Sequence, residues 1–102
     1  MILASIQSLA AKRCLLWSTH AATRMQERGI NRQDVINCIM QGEVIENYPT
    51  DYPNPSCLIY GPAVDGHIIH VVAGCDQERA YIITAYVPSQ AKFEADLKTR
   101  RG

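Results

Sequence analysis

The sequence predicts an α+β fold in which N-terminal helices are followed by a four-stranded antiparallel meander and a C-terminal helix. Apolar residues recur at helical spacing up to Gly42, whereas alternating and β-branched runs joined by short loops follow it. The chain has 102 residues, 47% of them apolar, which is enough for one modest core and too short for two. We therefore expect a single domain over residues 1–102.

Two helices are predicted in the first 30 residues. Residues 2 to about 13 form an amphipathic helix, because their apolar side chains recur at helical spacing. Ser18 or Thr19 caps a second helix, since a short hydroxyl side chain can accept a hydrogen bond from the first free backbone N–H groups. Gly29 ends that helix, because glycine takes the left-handed conformation of a helix C-terminus without strain.

A third helix is predicted from Asn31, where Asp34 three residues later forms a variant of the capping box. Gly42 closes this helix. Its buried stripe consists of apolar residues at helical spacing, namely Val35, Ile36, Ile39 and Met40.

The meander is predicted from four short runs, residues 43–48, 57–60, 67–74 and 80–87. A proline-stiffened loop over residues 48–56 joins the first two runs. Asp65 and Gly66 predict a tight hairpin between the second and third runs. Because the connections are short, neighbouring strands are expected to be antiparallel.

A last helix is predicted from Pro88 and Ser89, with Phe93 and Leu97 as a narrow apolar edge. Neither face of the two central strands is purely polar, so both sides of the sheet are expected to be covered. The second and third helices are expected on one side. The last helix or a partner chain is expected on the other.

The two central strands also predict a polar cluster within an otherwise apolar sheet. His70, Thr84 and Tyr86 fall on like-facing positions if these strands pair in ordinary register.

Charge is unevenly distributed along a chain whose formal net charge is zero. Residues 1–32 hold five basic residues against one acidic residue, whereas residues 33–97 hold two against nine. A neutral sum argues against a strongly basic nucleic-acid binder, yet a local basic patch can still attract phosphate groups.

The N-terminal basic residues include a ladder, His20, Arg24 and Arg28, at the four-residue spacing of one helix face. The two arginines repel each other by a few tenths of a kcal/mol at this spacing. One explanation is an anionic ligand on the ladder. The alternative is a structural network in which Arg24 pairs with Glu27 and Arg28 with acidic residues of the sheet.

Cysteine spacing and the N-terminus bear on the expected compartment. The four cysteines lie 18 to 24 residues apart without a Cys-x-x-Cys pair, and are expected to be reduced thiols, with Cys57 and Cys75 as neighbours on adjacent strands. Lys12 and Arg13 follow the first apolar run where a signal peptide would need small residues. No run approaches the roughly 20 apolar residues of a membrane span, so we expect a cytoplasmic protein.

Five motifs together resemble the bacterial family catalogued as domain of unknown function 4258. They are His20-x3-Arg24-x3-Arg28-Gly29-Ile30, Gly42-x-Val44-Ile45, Tyr52-Pro53-x-Pro55-Ser56, His70-Val71-Val72 and Ile83-Thr84-x-Tyr86-x-Pro88. The similarity covers residues 18–98, and residues 1–17 lie outside it as an extra helix. Phe93 departs from the family, in which many members have Trp.

The family's helices and antiparallel sheet are similar to those of the RelE/ParE-like toxins, small bacterial ribonucleases and gyrase inhibitors. The resemblance therefore implies a RelE-like fold and an antitoxin partner, often one with a zinc-finger module. This step is an analogy of fold, and a fold does not fix a function.

Ribonuclease chemistry without a metal needs a base, an acid and cations that stabilise phosphate charge. The candidate catalytic residues are His20, Arg24, Arg28, His70 and Tyr86. The candidate RNA-binding residues are Tyr52, Tyr60, Arg32 and Thr84, since tyrosine rings can stack on bases.

The leading hypothesis is thus a toxin-like endoribonuclease that acts on RNA without a metal or cofactor and is inhibited by an antitoxin. The alternative is a non-enzymatic module that binds an acidic partner through its arginine stripe or forms a homodimer through its sheet. A metal site from His20, His67, His70 and Asp51 is a third reading.

Overall fold

The computed structural model describes residues 2–89 and 93–100. It contains three helices and five strands, in the order α1 (Ile2–Ala11), β1 (Leu15–Trp17), α2 (Thr19–Arg28), α3 (Arg32–Gln41), β2 (Glu43–Tyr48), β3 (Ser56–Pro62), β4 (Ile68–Cys75) and β5 (Ala80–Tyr86). The predicted α+β class and the helices-first order are confirmed.

The ends of α2 and α3 lie where the capping residues predict them. The Ser18 side chain accepts a hydrogen bond from the backbone N–H of Ala21 at 3.0 Å. Asn31 and Asp34 form a reciprocal capping box, with distances of 2.8 and 3.0 Å between side-chain oxygen and backbone nitrogen. Each bond satisfies a backbone N–H that the helix itself leaves unpaired.

Helices α1 and α2 end in the same hydrogen-bond pattern with different residues at the left-handed position. At the end of α2, Gly29 (φ 68°) takes that position. At the end of α1 it is Arg13 (φ 61°), and the Cys14 N–H donates back to the Leu9 carbonyl at 2.8 Å. Arginine there is strained, whereas glycine is the ordinary choice.

The sheet has five strands in the order β1-β5-β4-β3-β2. Strands β2 to β5 form the predicted antiparallel meander. Strand β1 was not predicted and pairs parallel with β5, Leu15 lying opposite Ala80 and Trp17 opposite Ile82. The prediction of a purely antiparallel four-stranded sheet is therefore wrong. A three-residue strand held by a partner more than 60 residues away has no periodic signal of its own.

The helices cover one face of the sheet, where they bury its apolar side chains. The strand residues of this core include Ile59, Ile69, Val71, Ile82 and Ala85, and the helices contribute Met25, Val35, Cys38 and Ile39. Burial raises the pKa of the Cys38 thiol to about 12, and all four cysteines are free. We call this side of the sheet the helix face.

The opposite face is covered by residues 93–100, which we call the strap. The prediction of a C-terminal helix is wrong for residues 93–100. Residues 90–92, which the prediction also covered, lie outside the described residues. Phe93 and Arg100 instead form an isolated antiparallel bridge, and the Glu94 N–H donates to the Thr99 carbonyl at 2.8 Å. We call this side of the sheet the strap face.

Local hydrogen bonds explain why the strap is not helical. The Asp96 carboxylate accepts hydrogen bonds from the backbone N–H groups of Lys98 and Thr99 at 2.9 and 3.0 Å. Short acidic side chains of this kind favour turns over helices. The basic side chains of Lys98 and Arg100 then turn to β2, where they pair with Glu43 and Glu46.

No helix within residues 2–89 and 93–100 is long and apolar enough to cross a membrane.

Candidate functional site

A row of three polar rings crosses the strap face on adjacent strands. Tyr60 on β3 lies opposite His70 on β4, which lies opposite Tyr86 on β5. The alternation of β4 and β5 predicts that His70 and Tyr86 share a face, and their rings lie 5.3 Å apart, centroid to centroid. Thr84 pairs with Val72 one step along the same face.

His70 is fully buried with both ring nitrogens hydrogen-bonded. Its Nε2 lies 2.7 Å from the Leu97 carbonyl oxygen, which can only accept, so we assign the proton to Nε2. Nδ1 then accepts from the Tyr86 hydroxyl at 3.3 Å. Burial lowers the pKa of His70, so the imidazole is neutral near pH 7.

The strap packs onto this row through ring contacts and an ion pair. The Phe93 ring meets His70 edge-on, with centroids 4.6 Å apart. Lys98 Nζ lies 4.7 Å from the centroid of Tyr60 and 2.8 Å from a carboxylate oxygen of Glu43. These contacts place the strap directly over Tyr60 and His70.

A second ion pair holds the end of the strap. Arg100 binds the Glu46 carboxylate through Nε and Nη2, both at 3.0 Å, and the Tyr48 hydroxyl donates to the same carboxylate at 2.6 Å. Arg100 lowers the pKa of Glu46, and burial together with Glu46 raises the pKa of Tyr48 to about 12. A two-point contact of this kind fixes the guanidinium plane.

Beside the row lies a cleft of about 510 Å³. It is lined by Arg28, Tyr86, Val87, Ser89, Phe93 and Arg100, and we call it the Arg28–Arg100 cleft. Arg28 Nη1 donates to the Ala85 carbonyl at 2.9 Å, which fixes the end of α2 beside the end of β5. Burial raises the pKa of Tyr86, so its hydroxyl keeps its proton at neutral pH. Two arginines and a tyrosine therefore line one cleft, and the hydroxyl of the tyrosine is bonded to a neutral imidazole.

Only one of the three ladder residues on α2 lies in the cleft. Arg28 lines the cleft, whereas His20 and Arg24 do not. Arg24 pairs with Glu27 at 3.3 Å, the partner that the structural alternative named. His20 is exposed and lies eight residues, about 12 Å of helix axis, from Arg28.

The candidate RNA-binding residues lie at three separate places. Tyr60 and Thr84 are on the strap face. Tyr52 is 96% exposed in the loop between β2 and β3. The Arg32 guanidinium lies over the Trp17 ring, with Cζ 5.2 Å from the ring centroid.

The arrangement of the candidate ligands does not support the hypothesis of a metal site. His67 is exposed and bonds to Asp65. No group of three His, Cys, Asp or Glu side chains in the described part of the chain is placed to hold a metal ion.

The sequence did not predict Arg100 as a cleft residue, nor Glu46 and Tyr48 as the residues that hold it beside the cleft. The sequence places Arg100 at the basic end of the predicted last helix, four residues after Asp96, where its charge suits the helix dipole and needs no function. Glu46 and Tyr48 are two residues apart in a strand and so point to the same face, which was the available signal. Their link to Arg100 spans 54 positions and is visible only in the folded chain.

The fold and site define a small α+β domain with a helix-covered sheet and a cationic cleft on its other face. The chain belongs to the family described as Domain of unknown function (DUF4258), whose model matches residues 17–87. This confirms the predicted family over residues 18–87. The match contains Arg28, Glu46, His70 and Tyr86, while the strap lies beyond it. No curated protein and no solved structure gives a significant match.

Proposed function

We propose that this domain is a toxin-like endoribonuclease that cleaves RNA in the Arg28–Arg100 cleft without a metal ion. One observation carries the proposal. Arg28, Arg100 and Tyr86 line a single cleft, and the acceptor nitrogen of a neutral His70 lies 3.3 Å from the Tyr86 hydroxyl. Phosphate binding and proton transfer, the two requirements of RNA cleavage, are thus side by side.

The proposed reaction uses the ribose 2′-hydroxyl as its nucleophile. The Tyr86 oxygen takes the 2′ proton while the phenolic proton passes to His70 Nδ1. The 2′ oxygen bonds to phosphorus, the bond from phosphorus to the 5′ oxygen breaks, and the 5′ oxygen takes a proton from water. The products are a 2′,3′-cyclic phosphate and a 5′-hydroxyl end.

Several contacts suit His70 to this role. Its Nε2 proton is held by the Leu97 carbonyl, so Nδ1 is the nitrogen free to receive a proton from Tyr86. The nearby Glu46 carboxylate favours the protonated ring that forms. Arg28 and Arg100 stabilise the charge that develops on the phosphate oxygens.

An antitoxin is the proposed partner, by analogy with the RelE/ParE-like toxins. The analogy rests on the N-terminal helices and the antiparallel meander, and so on the fold alone. On this proposal the antitoxin acts in the cytoplasm by keeping RNA out of the cleft.

The proposal is tested by inducing wild-type protein and two arginine variants in bacteria and by incubating the purified proteins with RNA and a chelator. Arg28→Ala removes a cleft cation, and Arg24→Ala removes a cation of the same helix outside the cleft. We expect the wild type to arrest growth and cleave RNA, with activity at least ~100-fold lower in Arg28→Ala and within about twofold in Arg24→Ala. A wild type that neither arrests growth nor cleaves RNA contradicts the proposal.

A non-enzymatic binding module is the second candidate. It is favoured because polar groups of the site are already bonded to other groups of the chain. Both His70 nitrogens are bonded within the chain, and Arg100 is neutralised by Glu46. The same variants distinguish the two. Capture of an acidic protein by the wild type, lost in the Arg24→Ala, Arg28→Ala double variant and without RNA cleavage, supports the module.

A further inference from the structure

A second cationic cluster lies beside the edge strand β1. A cavity of about 370 Å³ there is lined by Arg13, Leu15, Trp17, Arg32, Gln33 and Ile36. The Arg32 guanidinium lies over the ring of Trp17, the single tryptophan of the chain. We call this the Arg13–Trp17–Arg32 site. None of its residues lines the Arg28–Arg100 cleft.

The positive charge of this site is uncompensated. No acidic residue lines the cavity, and neither Arg13 nor Arg32 forms an ion pair within residues 2–89 and 93–100. The carboxylate of Asp34, two residues from Arg32, is already used. One of its oxygens accepts from the Asn31 N–H and the other from the Val64 N–H, both at 3.0 Å. Two arginines therefore line a small cavity that no acidic residue lines.

The backbone at Arg13 is an independent indication of a role for this side chain. Arg13 has φ 61° at the end of α1, in the position that Gly29 takes at the end of α2. The two helix ends share their hydrogen-bond pattern, so the same backbone can be made with glycine and without strain. A strained arginine where glycine would fit is expected where its side chain has a use.

We propose that the Arg13–Trp17–Arg32 site binds a phosphate and an adjacent base of single-stranded RNA, as a second subsite for the substrate of the Arg28–Arg100 cleft. This inference rests on the proposed function. Arg13 and Arg32 hold the phosphodiester oxygens, and the Trp17 ring with the Arg32 guanidinium over it offers planar groups on which a base can stack. Paired cations beside a stacked ring suit single-stranded nucleic acid better than an acidic peptide, which needs no flat surface.

The positions of the two sites are compatible with one RNA strand. Trp17 lies opposite Ile82 of β5, and Arg28 is bonded to Ala85 three residues further along the same strand. These two points of β5 are about 10 Å apart at the rise of an extended strand. Both sites therefore lie near the edge of the sheet formed by β1 and β5, one on each face, and a short RNA that crosses this edge can contact both.

The test is a titration with a 2′-O-methyl oligouridylate of eight nucleotides, followed by the fluorescence of Trp17. This probe binds as RNA does and has no 2′-hydroxyl to attack phosphorus. We expect it to quench the fluorescence of the wild type. Arg13→Gly should weaken binding about fivefold or more, reduce the slope of log affinity against log salt by about 0.7, and leave thermal stability equal or higher.

Two further variants separate charge from stacking. Arg32→Lys keeps the charge but loses the planar group, and is expected to weaken binding and quenching together. Arg79→Ala removes an exposed arginine from the turn before β5 and should change affinity less than twofold. An Arg13→Gly protein that is as stable as wild type and binds equally well overturns the subsite.

The remaining outcomes separate this inference from the proposed function. Cleavage of RNA by the wild type with no change in Trp17 fluorescence refutes the subsite and leaves the cleft proposal standing. Quenching that depends on Arg13, in a protein that cleaves no RNA, supports the subsite and refutes the nuclease. Quenching by a polyglutamate peptide but not by the oligonucleotide refutes the subsite in favour of an acidic protein partner.

Discussion

The two faces of the sheet are held by different kinds of interaction. On the helix face, aliphatic side chains such as Ile59, Ile69 and Val71 are buried against helices. On the strap face, His70 and Glu46 hold the strap through hydrogen bonds and an ion pair of defined geometry. Apolar burial is non-directional and stabilises the fold, whereas directional contacts orient reactive groups. The difference predicts that the contacts of the strap face can be changed with a smaller loss of stability than the core of the helix face.

The largest effect on stability is expected on the helix face. Ile69→Ala should reduce the free energy of unfolding by about 2–5 kcal/mol, because it leaves a cavity in a fully buried part of the core. Urea denaturation measures the change. Ile83→Ala is the matched control, since Ile83 is 40% exposed and the same truncation there should cost less than about 1 kcal/mol. Equal losses at the two positions would contradict the assignment of the core.

A smaller loss is expected from the strap face. His70→Leu removes the partner of both the Leu97 carbonyl and the Tyr86 hydroxyl, and should cost about 1–3 kcal/mol. The loss should be accompanied by faster hydrogen exchange in the strap and little change in β3 and β4, since their ladder is intact. Exchange that accelerates equally in all strands would show that the two faces are not separable.

The smallest effect is expected from acidification. Burial holds the pKa of His70 below its usual 6.5, so the folded state binds fewer protons than the unfolded state. Its contribution to stability is complete above about pH 6.5 and is lost as the pH falls through the lower folded value. Glu46, whose pKa Arg100 lowers from 4.5, loses its contribution in the same direction at more acidic pH.

The pH effect is measured as the urea midpoint between pH 8 and pH 5. We expect a decline in the wild type and a flatter profile in His70→Leu, which has no group titrating in that range at this position. Parallel profiles for the two proteins would contradict the account of His70.

Local signals predict much of this structure, and contacts distant in sequence account for what they miss. Ser18, Gly29 and Asn31 fix the ends of α2 and α3 because each acts on its own turn of backbone. The alternation in β4 and β5 likewise places His70 beside Tyr86. Strand β1 and the strap could not be predicted this way, because their partners lie far away in the sequence.

The residues of the candidate site likewise divide into those that a local motif indicates and those whose contacts are distant in sequence. Arg28 is part of a local motif and lies in the cleft, yet nothing local distinguishes it from Arg24, which faces Glu27 instead. The two arginines differ only in the folded chain, where Arg28 bonds to the Ala85 carbonyl near the end of β5. The pairing of Arg100 with Glu46 could not be predicted locally, because Glu46 lies in a strand 54 positions earlier in the chain.

The central claim is that the chemistry of the strap face resides in the Tyr86 hydroxyl. The most direct measurement is the rate of RNA cleavage by wild-type and Tyr86→Phe proteins in chelator, with the ends of the products identified. The account predicts 2′,3′-cyclic phosphate and 5′-hydroxyl ends for the wild type and a rate at least ~100-fold lower for Tyr86→Phe, which keeps the ring and its packing. Equal rates for the two proteins, or products with other ends, would contradict it.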